Sequence, residues 1–273
     1  MAKHSCAPPY PGLISQGRRI GGCFIERKSV AQLSRIEWTE VTWNPVTGCD
    51  QVSPGCAHCY AKTFAERWQG IAGHHYEQGF ALRLWPDRLS QPFRWRRPRT
   101  VFVNSMSDLF HEDIPNDYVR EVFDVMACLP QHTFQVLTKR HERLAEFGAE
   151  LSWPDNVWMG VSIENRRFVE RADYLRRIPA AVRFISAEPL LGPLEGLNLA
   201  DIDWLIAGGE SGPRHRRLDP DWLRELRDRC LAEDVAFFFK QWGGRTPKAG
   251  GRVLDGRTWD TLPSNLSRQV LVT

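Results

Sequence analysis

The 273-residue sequence lacks any apolar run near the roughly 18 residues that a membrane-spanning helix requires. Its first 20 residues contain prolines, glycines and charges, but not the continuous apolar core of a secretory signal. It also lacks an excess of one charge, because 36 Lys and Arg residues face 33 Asp and Glu residues and leave a net charge of +3. This balance permits contact with nucleic acid without requiring it. We therefore expect a cytoplasmic protein without membrane contact.

In the absence of an export signal, the seven cysteines indicate reduced thiols, metal ligands or catalytic groups rather than disulfides. Residues 1–34 are rich in proline, glycine and basic residues and show no hydrophobic period, which predicts a poorly structured N-terminal extension. Four of the cysteines are predicted not to bind metal: Cys6, Cys23, Cys128 and Cys230.

The central part of the chain alternates short apolar runs with helical patterns. After a first strand near Trp38, runs rich in Val, Ile and Phe predict buried strands at 101–106, 134–139, 157–164, 182–189, 203–210 and 236–242. Amphipathic patterns predict helices at 116–128, 140–150, 165–177 and 220–233, and a further helix is expected at 61–69, directly after the cysteine motif described below. Such alternation is typical of a parallel sheet that is covered by helices.

Two features favour a barrel over a doubly wound sheet. No glycine-rich dinucleotide fingerprint follows the first strand. Polar residues follow the carboxyl ends of several strands, where barrel enzymes build their active sites. We predict an α/β fold with a partial (β/α)6-type barrel of parallel strands over residues 35–245. Asp255-Gly256, between two short extended runs, predicts a β-hairpin in a C-terminal appendage at 246–273.

The most informative motif is a Cys-x6-Cys-x2-Cys pattern formed by Cys49, Cys56 and Cys59. A Ser-Pro-Gly turn at 53–55 lets the three sulfurs converge, and thiolates suit iron–sulfur clusters or zinc. Structural zinc usually has four ligands, and the nearby fourth candidate, His58, is awkwardly adjacent to Cys59. On a four-iron cluster, three cysteines would leave one iron free for a substrate or cofactor. A structural zinc site and three unliganded buried thiols are the alternatives.

This motif, in a loop after the first strand of a partial β/α barrel, resembles the radical S-adenosylmethionine superfamily. Over residues 36–263 the sequence more closely resembles a phage- and prophage-associated family that carries the same three-cysteine motif and is usually described as of unknown function. The segments that carry this second resemblance are IEWTEVTWNPVTGCDQVSPGCAHCYA, VFVNSMSDLFHED, VLTKR, GVSIEN, RFISAEPLLG, IAGGESG, FFFKQWGG and LDGRTWDTLP.

The superfamily resemblance implies that Cys49, Cys56 and Cys59 bind three irons of a 4Fe-4S cluster. S-adenosyl-L-methionine would chelate the fourth iron, and one-electron reduction would release a 5′-deoxyadenosyl radical. The usual superfamily spacing is Cys-x3-Cys-x2-Cys, so the loop in this chain is three residues longer. His58 stands before the third cysteine, at the position whose aromatic side chain usually contacts the adenine.

The resemblance also implies cofactor contacts at the strand ends. Ser162 and Glu164 end the fourth strand, where superfamily members often bind the ribose, and alternate residues of a strand share one face. Lys139 and Arg140 end the third strand and suit the methionyl carboxylate. The alternatives are a helix cap at Glu164 and a solvated helix start at the Lys-Arg pair.

Further pocket candidates follow the remaining strands. Gly208 and Gly209 would let the backbone approach a phosphate or adenine closely, although a simple tight turn explains them as well. The other candidates at strand ends are Ser105, Asp108, Glu188, Lys240, Gln241 and Trp242. One of the acids among them would be the candidate for moving a substrate proton.

Two arginine-rich stretches indicate a phosphate-binding surface. In the first stretch, Phe93 and Trp95 lie between the arginines and offer faces for stacking. The arginines concerned are Arg94, Arg96, Arg97, Arg99, Arg214, Arg216 and Arg217. The alternative is a solvated rim without a ligand.

The superfamily resemblance and the arginine-rich stretches together predict a radical S-adenosylmethionine-like iron–sulfur enzyme that modifies or repairs nucleic acid. Its cofactors would be a 4Fe-4S cluster and S-adenosyl-L-methionine. One alternative is a nucleic-acid-binding protein whose cysteines hold structural zinc or a redox-sensing cluster. The other is a phage- or defence-linked protein that needs a second polypeptide as its partner.

Overall fold

The structure is a computed structural model, and it describes residue 34 and residues 36–263. Nearly all of the extension predicted at 1–34, including Cys6 and Cys23, lies outside the described residues, as does the segment 264–273. Within the described part, no helix combines the length and the apolar character needed to cross a membrane.

Seven parallel strands form one sheet that curls into a half-barrel, which confirms the predicted fold class. In chain order and also in sheet order they are β1 Val41–Trp43, β4 Thr100–Val103, β5 Thr133–Thr138, β6 Val157–Ser162, β7 Arg183–Ala187, β8 Trp204–Gly208 and β9 Ala236–Gln241. Two further strands, β2 Val46–Thr47 and β3 Arg83–Leu84, form a small antiparallel pair that the sequence patterns do not indicate. Each connection therefore moves the chain one strand along the sheet, as in a β/α barrel.

The helices of the described chain are α1 Tyr60–Glu66, α2 Asn116–Ala127, α3 His141–Gly148, α4 Arg171–Leu175 and α5 Pro220–Ala232. Helix α5 begins as the sequence indicates, because the Asp219 side chain accepts a hydrogen bond from the Asp221 backbone N–H, and a proline follows it. Helix α4 is shorter than the helix predicted at 165–177, since a short 3-10 turn capped by Asn165 precedes it.

Aromatic side chains fill the amino-terminal half of the barrel interior. The Trp204 ring lies 5.7 Å from the Phe184 ring and 6.0 Å from the Phe238 ring, measured between centroids. Gly160 makes room for this cluster, because a Cβ at that position would lie 2.4 Å from the Phe184 ring. This packing leaves the carboxyl ends of the strands as the open end of the barrel interior.

The β-hairpin predicted in the C-terminal appendage is formed. Asp255 and Gly256 have φ values of 51° and 82°, as a two-residue hairpin turn requires. On either side of this turn, Leu254 and Arg257 pair as an antiparallel bridge.

The segment after this hairpin covers the edge of β9. The Phe239 N–H donates to the Trp259 carbonyl at 2.8 Å, and the Thr261 N–H donates to the Phe237 carbonyl at 3.2 Å. An open strand edge offers unpaired backbone groups to other chains. The C-terminal segment therefore protects the half-barrel at the side where its sheet would otherwise end.

Candidate metal centre and substrate cleft

The loop between β1 and α1 brings the three cysteines to the carboxyl edge of the sheet. Near its start, the Gly48 N–H donates to the Met106 carbonyl at 3.0 Å, just beyond β4. Gly48 has a φ of +87°, and a Cβ there would lie 2.1 Å from the carbonyl oxygen of Ala81, so only glycine fits. Cys49 is thereby held beside the end of β4, whereas Cys59 directly precedes α1.

Each of the three sulfurs has a hydrogen-bonding group beside it. Arg140 Nη2 lies 3.8 Å from Cys49 Sγ, and Ser53 Oγ lies 3.7 Å from Cys56 Sγ. The backbone N–H groups of Ala61 and Lys62, in the first turn of α1, favour the thiolate form of Cys59. All three thiols are free and partly exposed. Donors placed in this way stabilise negative charge on sulfur.

Burial dominates the ionisation of the Cys49 and Cys59 thiols. It raises the pKa of Cys49 to about 12; the Asp108 carboxylate adds to this rise, and the Arg140 guanidinium opposes it. Burial also raises the pKa of Cys59. Thiols of this kind are protonated at neutral pH, so metal binding by the loop would release protons.

The three sulfurs do not form a compact set of ligands around one point. They are not all within 4.8 Å of one another, whereas thiolates that bind one zinc tetrahedrally at about 2.3 Å lie about 4 Å apart. His58, the fourth zinc candidate from the sequence, has its Nδ1 3.0 Å from Glu210 Oε2. The donor set therefore fits a multi-iron cluster better than a closed zinc site.

Glu164, two residues after β6, holds the cysteine loop from the barrel interior. Its buried carboxylate accepts a hydrogen bond from Ser53 Oγ at 2.5 Å and forms ion pairs with Lys139 Nζ at 3.2 Å and Arg171 Nη1 at 3.0 Å. A Cβ at Gly55 would lie 2.5 Å from Glu164 Oε1, so glycine permits this approach. Burial raises the pKa of Glu164, but the two cations and the serine together lower it below its usual value. The ionised carboxylate of Glu164 therefore holds the cysteine loop against the end of β6, and we call such a contact a clamp.

Glu210, two residues after β8, forms a second clamp on the same loop. It accepts a hydrogen bond from His58 Nδ1 at 3.0 Å and two from the Arg216 guanidinium, at 2.9 Å and 2.5 Å. The same guanidinium donates to the Pro54 carbonyl at 2.9 Å. Burial opposes ionisation of Glu210, but these hydrogen bonds bring its pKa down to about 2. The loop is therefore fixed at two strand ends.

A third contact joins the loop to the segment after β4. Asp50 Oδ2 lies 3.2 Å from Nε2 of the buried His111, and one ligand atom from each of Asp50, His111 and Asp113 lies within 4.8 Å of the others. The Asp113 backbone N–H donates to His111 Nδ1 at 3.2 Å. Since both ring nitrogens of the histidine are engaged, this group acts as a tether and not as an open metal site.

The structure brings together several of the residues predicted at strand ends. Lys139 and Glu164 form an ion pair, and Arg140 reaches both Cys49 and Glu112. Asp108 Oδ2 accepts a hydrogen bond from the Lys139 backbone N–H at 2.9 Å. These side chains surround the cysteine loop at the ends of β4, β5 and β6.

The other strand-end candidates lie at or just beyond the ends of β6, β7, β8 and β9. Ser162 is buried and pairs in register with Ser186. Glu188 Oε1 forms an ion pair with Lys240 Nζ at 3.2 Å, and a Cβ at Gly208 would lie 2.8 Å from the same oxygen. A Cβ at Gly209 would lie 2.0 Å from the Trp242 carbonyl, so Gly209 is required where two backbone segments cross. Gln241 donates to Ser211 Oγ at 2.8 Å.

A cleft of about 1590 Å³ opens beside the cysteine loop. His58, Cys59 and Tyr60 contribute to one wall, and Ser105 and Ser211 come from the ends of β4 and β8. A smaller cavity of about 610 Å³, next to α3 and α4, is lined in part by Lys139, Arg140 and Arg171. The larger cleft is the one that reaches a cysteine.

The arginines predicted to bind phosphate do not share one environment. Arg94 and Arg214 line the larger cleft, and Arg96, Arg97 and Arg217 are exposed outside it. Arg99 lies 3.7 Å from Glu40, and Arg216 is engaged by Glu210.

Sequence patterns do not reveal the clamps on the cysteine loop. Ser53 and Gly55 indicate only a turn, and Arg216 indicates only a phosphate ligand. One signal was present, because Glu210 and Arg216 flank a Gly-Pro turn and are close enough in sequence to pair. The contact between Ser53 and Glu164 had no such signal, since 111 residues separate the two positions.

Comparison with known proteins adds a family and a structural likeness. A family model described as "Protein of unknown function (DUF5131)" matches residues 33–263. No curated protein matches the chain. Among solved structures, spore photoproduct lyase complexed with dinucleoside spore photoproduct is 14% identical, with a TM-score of 0.45, over 75% of this chain and 64% of that one.

Two mutant forms of the same lyase give similar values. One, with bound AdoMet and dinucleoside spore photoproduct, is 15% identical with a TM-score of 0.45 over 75% of this chain and 64% of that chain. A single mutant is 14% identical with a TM-score of 0.42 over 74% and 64%. The chain thus spans 64% of the length of these solved structures.

Proposed function

The chain belongs to the DUF5131 family of proteins of unknown function, and we propose that it is a radical S-adenosylmethionine-like iron–sulfur enzyme that acts on nucleic acid. One observation carries this proposal: three free cysteines lie in one loop at the carboxyl edge of a parallel half-barrel. Barrel enzymes assemble their active sites at this edge. Three thiolates are a ligand set that suits an iron–sulfur cluster.

The residues around the loop fit such a cluster. Cys49, Cys56 and Cys59 would each bind one iron, and their spacing argues against a single closed zinc site. Arg140 lies against the sulfur of Cys49 and would offset the negative charge of a cluster bound by thiolates. The fourth iron would be left for S-adenosylmethionine.

The cofactor would occupy the barrel mouth next to the loop. We assign its binding to Ser162, Lys139 and His58. The backbone of Gly208 and Gly209, at the end of β8, would form a further part of the binding site. Glu164 would take part by fixing Lys139 and the loop, since its carboxylate already bonds to Ser53, Lys139 and Arg171. When bound, the cluster and S-adenosylmethionine would supply a 5′-deoxyadenosyl radical for abstraction of a substrate hydrogen.

Anaerobic reconstitution with iron and sulfide tests the proposal. We expect a brown protein that contains iron and acid-labile sulfide and, after reduction by dithionite, forms 5′-deoxyadenosine from S-adenosylmethionine. Stoichiometric zinc without iron would instead identify a structural site. Iron binding without 5′-deoxyadenosine would identify a redox-sensing cluster, and either result would reject the enzyme.

A further inference from the structure

We propose that the larger cleft binds a single-stranded nucleic acid, whose bases stack on aromatic side chains of α1 and the turn after it. Arginines around the cleft would pair with the phosphates. This inference rests on the proposed function, because it identifies the strandedness and the path of the substrate that would reach Cys59. His58 and Cys59 form part of the same cleft, so a base held there lies beside the cysteine loop.

A row of exposed aromatic rings forms one wall of the cleft. Tyr60, Phe64 and Trp68 follow one another at intervals of four residues, which places them on one face of α1 and its continuation. Their exposed fractions are 56%, 41% and 38%, although large apolar side chains in the rest of the described chain are mostly buried. The centroids of Phe64 and Trp68 are 6.4 Å apart and the two ring planes are tilted by 58°. His74 stacks on one face of Trp68, with the ring centroids 4.4 Å apart. Bases of a single strand stack on exposed aromatic faces, one ring to a base.

The same cleft carries an excess of positive charge. Its lining includes Lys62, Arg67, Arg88, Arg94, Arg214 and Arg245, against two carboxylates, Glu66 and Asp87. Within the described part of the chain, four of these arginines form no ion pair with a carboxylate, namely Arg67, Arg94, Arg214 and Arg245. Cations that no side chain neutralises are available to phosphates.

The aromatic rings and the cations of the cleft together favour one class of ligand over the others. An apolar peptide would leave the arginines without partners, and a free nucleotide would use only a small part of a cleft of about 1590 Å³. In a duplex the base faces are hidden by stacking, so the aromatic row would have nothing to contact. A single strand provides both regularly spaced phosphates and free base faces.

Fluorescence anisotropy with the reconstituted full-length protein tests this inference. The probes are fluorescein-labelled single strands of DNA and of RNA with one sequence, and the matching DNA duplex. We expect both single strands to bind more tightly than the duplex, and the better of the two identifies the sugar. Changing Phe64→Ala together with Trp68→Ala should weaken single-strand binding at least about tenfold.

Two matched pairs of variants test how the affinity for a single strand depends on salt. Replacing Arg67 and Arg214 by Gln should reduce the slope of log K against log salt by about 0.7 for each phosphate that an arginine no longer neutralises. Replacing the exposed Arg96 and Arg97 by Gln removes the same charge outside the cleft and should leave the slope unchanged. Equal effects of the two pairs would overturn the cleft as the binding site.

The inference also fails if no single strand binds at low salt, or if the aromatic variant binds as well as the wild type. Iron content and 5′-deoxyadenosine formation, measured without nucleic acid, separate this failure from failure of the proposed chemistry. A protein that cleaves S-adenosylmethionine but binds no single strand would disprove only the nucleic-acid cleft. A protein that binds single strands in the cleft without holding iron would disprove only the radical chemistry.

Discussion

At the scale of single residues, three cysteines share a loop, whereas Cys128 directly follows α2 and Cys230 is buried on α5. Replacing any one of Cys49, Cys56 or Cys59 by Ala should remove most of the visible absorbance and bound iron of the reconstituted protein, because each would hold one iron. Cys128→Ala is the control and should retain both. A triple mutant of the loop with full absorbance would refute the ligand assignment.

Glu164 is the residue whose charge we expect to matter most for folding. Glu164→Gln would leave Lys139 and the buried Arg171 without their carboxylate, so we expect the free energy of unfolding to fall by about 3 kcal/mol. Urea denaturation measures this decrease. Glu195→Gln breaks an exposed ion pair with Arg166 and should cost less than about 1 kcal/mol. Similar decreases in both variants would contradict the clamp.

At the scale of elements, the C-terminal segment stabilises the last strand of the sheet. Trp259 packs 6.0 Å from the Phe237 ring, and its indole N–H donates to the Leu254 carbonyl at 3.1 Å. Trp259→Ala should lower the free energy of unfolding by about 3 kcal/mol and increase aggregation, because the edge of β9 loses its cover. Chemical denaturation and light scattering measure the two effects. Val253→Ala, at an exposed position, should change neither.

Glu210 joins the end of β8 to the cysteine loop, and we expect its contribution to the stability of the fold to depend on pH. The pKa of Glu210 is about 2, below the value near 4.3 of an unfolded glutamate, so its ionised form favours the folded state. This contribution is complete above the unfolded pKa and disappears as the pH falls toward 2. Glu210→Gln should therefore be less stable than the wild type at pH 6, with the difference shrinking on acidification in urea titrations. A difference that stays constant with pH would exclude the ion pair as its cause.

At the scale of the whole molecule, the parallel half-barrel could be predicted because its signals are local. Apolar runs such as 134–139 and 157–164 coincide with strands β5 and β6, and each is followed by polar residues at the carboxyl end. The β2–β3 pair has two residues in each strand, too few to form a pattern in the sequence.

The candidate site was only partly predictable, since its defining contacts join distant segments. His58 and Glu210 are 152 residues apart, and Ser53 and Glu164 are 111 apart. The sequence indicates a helix at 61–69, but it does not show that the aromatic face of this helix is left uncovered. The exposure of these rings depends on the loops that carry Arg214 and Arg245, which line the same cleft. The sequences of these loops show no periodicity, so the positions of the loops could not be predicted.

The clamps on the cysteine loop consist entirely of protein atoms, from Glu164, Glu210 and His111. Small metal domains unfold when a chelator removes their ion, because the ion provides their folding energy. Here, chelation should leave the melting temperature nearly unchanged, as measured by circular dichroism before and after iron removal, and a large decrease would contradict this. A reconstituted protein that lost the proposed cluster to oxygen would then keep its fold, and fresh iron and sulfide would restore the cluster without refolding.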